Sequence, residues 1–402
     1  MEPATIERLA RDLNPDFVLD QDWLARSESM DNRDAYLDVV GDLLQSEASH
    51  TFFEPGHFKS TLPNKAVLSH DLSTHTARLL GEVFPDRVAS GVAGGVLGET
   101  APLPATLGKE ISENGFAVLP DRLSGDTCAA MMRTFDGFTF TNRITGETLT
   151  GAEIVAQKDT LSGAWWIDDM RDLAAQPLLQ ALALDPSILS VAQDVLGTQP
   201  IHVQTNCWWT FPNRHKDPKQ RAKAESRNAQ QFHQDQEFVT FLKLFLYLTD
   251  VTDERGPHIY VRGSTQDYEA RLGDVEASKR WSDEDIDAAF GRDRIESITG
   301  GAGQLALVNT RGYHKGAPVK EGHRLLVQIE YASSMYFNPV KPFDETCLGP
   351  EASALRAQHP RIFQNYRPKD VVDRIYAESA QPKPKKKKSL LSKIGKSLGL
   401  RG

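Results

Sequence analysis

Up to about residue 90 the apolar residues recur three and four positions apart, as in AYLDVVGDLLQ from Ala35 and TARLLGEVF from Thr76, with polar loops between. That spacing predicts amphipathic helices. Residues 91–108 are dense in Gly and Pro and read as a connector. A new unit follows. FAVLP, from Phe116, predicts a short strand, and LSGDTCAAMMRTF offers Ser124 as the cap of a helix. DPSILSVAQDVLG is a clearer helix, with Asp185 as cap, Pro186 in the first turn and Gly197 as the stop. From IHVQTNCWWTF onward the period becomes two, and strand-like segments recur at FVTFLKLFLYL, HIYV, GQLALVN and HRLLVQIEYA, separated by DERGP, RGS, TGGAG and KEG. Many short strands with such punctuation predict a mainly β core of the double-sheet jelly-roll or barrel kind, with flanking helices. Four stretches result: a helical region and linker over 1–108, a β-rich unit over 109–345, a helical segment over 346–380 and a tail over 381–402.

Composition narrows the class. No run of 18 apolar residues occurs, and the opening MEPATIERLARDLN alternates acid and base, so the expectation is a globular chain without a spanning helix or secretory leader, working in the cytoplasm. Cys128, Cys207 and Cys347 lack CxxC spacing, which argues against a disulfide framework or a thiolate zinc site. Eight positive charges and no acid fall after Gln381, so the rest of the chain carries −17 against −9 for the whole. The body is therefore not expected to bind nucleic acid through its general charge. The tail itself, KPKKKKSLLSKIGKSLGL, places Leu390, Leu391, Ile394 and Leu398 on one face if helical. It fits an anchor on an anionic membrane surface through residues 383–402, at the inner face of the membrane, and equally a solvated disordered tail.

The candidate chemistry begins at QFHQDQEFVTF, where His233 and Asp235 stand two apart. In a strand such residues share a face, so both could aim into one cavity. A second HxD, His215 with Asp217, sits among Lys, Arg and a following proline and reads as an exposed loop with nothing to fix ligands. His314, in NTRGYHKGAPV, supplies a third ligand type, and Arg324 follows ten residues later at the start of an apolar strand. Two His and one carboxylate on one face of an octahedron suit non-haem iron oxygen chemistry. A buried guanidinium calls for an anionic partner, either a ligand carboxylate or a protein acid such as Glu330. Lys243 interrupts FVTFLKLFLYL and is expected to face outward, while Trp165, Trp166, Trp208 and Trp209 fit either core or the wall of a substrate mouth.

From about Glu113 to Ser334 the sequence resembles the phytanoyl-CoA dioxygenase-like oxygenases, through ENGFAVLPDRLSGD, FHQDQEFVTFLKLFLYLTDV with GPHIYVRGS, and RGYHKGAPV with Arg324. The resemblance implies a double-stranded β-helix (jelly-roll, cupin-like) for 109–345. It implies Fe(II) on His233, Asp235 and His314, the distal carboxylate of 2-oxoglutarate on Arg324, and Gln204 as a further contact to the oxo acid. The expected reaction consumes O2 and releases succinate and CO2 while hydroxylating a small-molecule, lipid or sugar-derived substrate. RGS at Arg262 stands where many relatives have Pro-Gly-Ser-His, a departure that touches no metal ligand. Two rival readings keep the same fold: a jelly-roll binding module without redox turnover, and a cupin-like isomerase or hydrolase.

Overall fold

The structure, a computed structural model, describes residues 1–54, 56–68, 70–88, 103, 106–167, 170–214, 217–266 and 279–380. Its centre is an antiparallel sheet of eight strands in the order β1-β9-β6-β11-β5-β4-β2-β3. These are β1 (Phe116–Arg122), β2 (Thr139–Asn142), β3 (Thr148–Thr150), β4 (Gly163–Ile167), β5 (Ile201–Phe211), β6 (Phe241–Tyr247), β9 (Gln304–Val308) and β11 (Arg324–Ala332). A smaller antiparallel sheet, in the order β10-β7-β8, is made of β7 (His258–Val261), β8 (Ile295–Ile298) and β10 (His314–Gly316). Trp208 and Phe245 from the large sheet pack with Tyr260 and Ile298 from the small one, closing the two into a double-stranded β-helix with flanking helices. This is the fold that the strand pattern predicts.

The central strands are covered on both faces, which is why β6 and β9 read as near-continuous apolar runs. Leu242, Leu244 and Leu246 of β6 and Leu325, Val327 and Ile329 of β11 point to one side. There they meet Leu179 and Leu189 from the helices Pro177–Ala183 and Pro186–Leu196. The predicted punctuation of the second of these helices is present: the Asp185 carboxylate accepts from Ser187 N at 2.9 Å, and Gly197 closes the helix at φ 75°. Truncating a side chain in this layer, such as Leu244→Ala, costs about 2–5 kcal/mol. The opposite face of the same strands carries the polar residues, and the ladder sets them side by side. Glu330 lies between Lys243 and Gln204, and Arg324 lies opposite Thr210.

The helices Pro3–Leu13, Gln21–Glu28, Arg33–Ser49 and His70–Val83 bury Ile6, Trp23, Tyr36 and Leu80 in a second core. The end of the large sheet contributes Ile201, Val203, Phe241 and Ala332 to that core, joined by Met335 just beyond β11. Polar ties join the two layers: the Tyr336 hydroxyl donates to Asp42, and Glu47 accepts from Ser334 Oγ at 2.5 Å and pairs with Arg361 at 2.8 Å.

One expectation needs correction. The segment after Asp217 is not a loop but the helix Pro218–Arg227, with the Asp217 carboxylate accepting from Lys219 N at 2.9 Å. Proline suits a first helical turn, so Asp217 is a cap and not a ligand. His215, most of the connector over 91–108, residues 267–278 and the whole tail over 381–402 lie outside the described residues. Among the described residues no helix is long and apolar enough to cross a membrane.

Candidate metal centre

His314 opens β10, and His233 faces it through an isolated bridge in which each backbone N–H donates to the other's carbonyl at 3.0 Å. Asp235 N donates to Thr310 O at 2.9 Å, so both residues of the HxD pair are clamped to the segment leading into β10. The alignment of His233 and Asp235 therefore comes from that pairing and not from β6. The chain bends over residues 237–240 before β6 begins at Phe241, which corrects the expectation that one straight strand holds both.

The two imidazoles are set by the same local device. Nδ1 of His233 lies 2.9 Å from Gln231 O and Nδ1 of His314 lies 2.9 Å from Gly312 O, each a carbonyl two residues back. A backbone acceptor at Nδ1 places the proton there and leaves the Nε2 lone pair for an electrophile. Both Nε2 atoms face the Asp235 carboxylate, at 3.7 Å for His233 and 3.5 Å for His314. Ligand atoms of the three residues all lie within 4.8 Å of one another, and no other group of His, Cys, Asp or Glu does so among the described residues. Two neutral nitrogens and one carboxylate on a single face are the donor set that suits Fe(II) with open positions opposite.

The electrostatics prepare these atoms for a cation. Burial, with His314 alongside, pushes His233 down to about 3, so it stays neutral. Burial alone would raise the Asp235 carboxyl, but the Lys243 ammonium beside it outweighs that and holds the carboxyl well below its usual range. Lys243 thus faces inward, against expectation. Its Nζ lies 2.8 Å from Asp235 and 2.7 Å from Glu237, with Glu330 at 3.8 Å. One ammonium cannot balance three carboxylates. Burial and the neighbouring Glu237 push the Glu330 carboxyl well above its usual range.

The triad opens into a cavity of about 540 Å³ that Gln204, Trp208, Phe245, His258 and Arg324 also line. Arg324 is buried, and its guanidinium donates to Gly256 O and lies 3.5 Å from Thr210 Oγ1, with Nε unpartnered. No described carboxylate lies within ion-pair distance of it, and Glu330, the protein acid considered from sequence, belongs to Lys243 instead. Gln204 shares the cavity, with its amide 3.4 Å from Met170 Sδ. Of the two Trp-Trp pairs, Trp166 and Trp208 stack at 4.2 Å on the cavity wall, with Arg143 over Trp166 at 4.3 Å, while Trp165 and Trp209 join the core on the other face. Sequence reasoning overlooked His258 and misplaced Lys243. In a strand apolar on both faces the inward phase cannot be read, and only the Lys243–Glu330 register reveals it.

The family model for phytanoyl-CoA dioxygenase (PhyH) matches residues 111–324, more than half of the chain. No curated protein matches. Among solved structures, apo EctD from S. alaskensis is 16% identical, with 64% of this chain and 88% of that one covered at a TM-score of 0.41. The α-ketoglutarate-dependent carbocyclase SnoK from nogalamycin biosynthesis is 17% identical, with 60% and 87% covered at 0.38. HygX from Streptomyces hygroscopicus, with nickel and 2-oxoglutarate bound, is 15% identical, with 57% and 87% covered at 0.38. With the family's domain spanning both histidines of the triad, its carboxylate and the buried arginine, this chain belongs to the phytanoyl-CoA dioxygenase family of iron- and 2-oxoglutarate-dependent oxygenases.

Proposed function

We propose that His233, Asp235 and His314 hold Fe(II), that Arg324 grips the distal carboxylate of 2-oxoglutarate with Gln204 beside the oxo acid, and that the enzyme hydroxylates a small molecule. The observation that carries this reading is a buried two-His, one-carboxylate face sharing a cavity with a guanidinium that has no protein carboxylate. When bound, iron and oxo acid supply the oxidising chemistry: O2 is consumed, 2-oxoglutarate becomes succinate and CO2, and one oxygen atom reaches the substrate.

The chain's own groups bind, orient and shield. Lys243 fixes the rotation of the Asp235 carboxylate and keeps it ionised, so the metal meets a ready ligand. The backbone acceptors at Gln231 and Gly312 hold both imidazoles in the ligating tautomer. Phe245 and Leu326 line the cavity with apolar surface that limits water near the reacting atoms. The stacked Trp166 and Trp208 offer a flat wall for a substrate, and the cavity has the size of a small-molecule site. The basic tail would bring this enzyme to an anionic bilayer, an idea that fails if vesicles pellet the protein equally with and without residues 382–402.

Anaerobic addition of Fe(II) and then 2-oxoglutarate should produce a weak visible charge-transfer band, absent in His233→Ala. Wild type without a band, or His233→Ala with a full one, contradicts the metal assignment. Hydroxylation itself is read by mass spectrometry, as a gain of one oxygen atom in a small molecule that also accelerates succinate release.

A further inference from the structure

His258, like Arg324, lines the cavity with a buried nitrogen that has no hydrogen-bond partner. It lies on β7, where the ladder pairs it with Gly316 of β10, two residues after His314. The residue is buried, and its ring packs nearly parallel to that of His314, with centroids 5.3 Å apart, and against Phe245 at 4.8 Å. Its Nε2 is buried without a hydrogen bond, and so is Nε of Arg324. The two side chains belong to the same corner. The Arg324 guanidinium donates to the carbonyl of Gly256, two residues before His258, and a Cβ on Gly316 would come within 3.6 Å of Arg324 Nη2. Gly316, cross-strand from His258, therefore lies against the guanidinium. Two buried nitrogens facing one cavity without a partner are costly unless a ligand oxygen meets them.

Resting on the oxygenase reading, we propose that His258 is a co-substrate-binding residue, its Nε2–H donating to an oxygen of the carboxylate that Arg324 grips. The pair then forms a two-point clamp on the distal end of 2-oxoglutarate, and the parallel packing of the ring on His314 fixes the direction of that N–H.

The test titrates 2-oxoglutarate into anaerobic Fe(II)-loaded wild type, His258→Leu and His258→Gln, following the charge-transfer band, with Fe(II) affinity measured separately. The second probe is 2-oxobutyrate, which keeps the oxo acid head and lacks the distal carboxylate. Loss of one hydrogen bond to a carboxylate predicts about a tenfold weaker hold on 2-oxoglutarate in His258→Leu, with partial recovery in His258→Gln, whose amide can donate. Affinity for 2-oxobutyrate and for Fe(II) should stay at the wild-type value. The clamp is overturned if His258→Leu binds 2-oxoglutarate as wild type does, or if both oxo acids and Fe(II) weaken together, which would make His258 a packing support for His314. A wild type with no band removes the oxygenase reading and this inference with it.

Discussion

The two ends of the cavity each bury a cation, and the cations are treated in opposite ways. At one end Lys243 sits within 2.8 Å of Asp235 and 2.7 Å of Glu237, with Glu330 a little farther off. At the other, Arg324 meets only a carbonyl, a hydroxyl and the neighbourhood of His258. Burying a charge is expensive unless a partner compensates. The lysine end is compensated within the protein and serves the fold and the metal ligand. The arginine end is left short of one anion, the deficit that the proposed hold on 2-oxoglutarate would make good.

Substitutions of matched shape should separate the ends. Lys243→Met leaves Asp235 and Glu237 crowded around Glu330 without a cation, and the expected loss is about 3–5 kcal/mol in urea unfolding of the metal-free protein. Saturating Fe(II) should restore part of it. Arg324→Met should keep or raise the melting temperature, because an uncompensated ion has been removed. Its affinity for 2-oxoglutarate should fall by about a hundredfold or more, near 3 kcal/mol, in the band titration. The contrast breaks if Arg324→Met unfolds as readily as Lys243→Met.

Acid tests the same ground more gently. In the fold His233 stays neutral down to about 3, whereas in the unfolded chain it takes up a proton near its ordinary value of about 6.5. Within that window unfolding binds a proton, so stability falls as the pH drops. The metal-free protein should lose about 1–2 kcal/mol of this origin between pH 6.5 and 5, read from melting curves, with a shallower slope in His233→Leu. The smallest effect belongs to Glu330→Gln. If burial already keeps Glu330 protonated, the amide should shift stability by less than about 1 kcal/mol, whereas a loss of several would mean that the carboxyl is ionised and essential to Lys243.

The strand segments, the helix caps at Ser124 and Asp185 and the His233–Asp235 pair follow from patterns a few residues long. Local sequence carries those signals directly. Lys243 and His258 were illegible for a different reason. Each owes its role to a cross-strand neighbour, Glu330 for one and Gly316 for the other, 87 and 58 positions away along the chain. In strands apolar on both faces nothing local marks which side a polar residue takes. His233 and Asp235 show the converse: the sequence supports their convergence, but the bend over 237–240 means that pairing with the segment into β10 enforces it.

The shared core at the end of the large sheet also sets an order of events. The N-terminal helices leave the ribosome long before Phe241, Met335 and Tyr336, the residues that cover their apolar faces, have been made. The Asp42–Tyr336 and Glu47–Arg361 ties span 294 and 314 positions. Contacts so distant form late and slowly. The apolar faces of the first helices are therefore fully covered only once the chain past Tyr336 has been made.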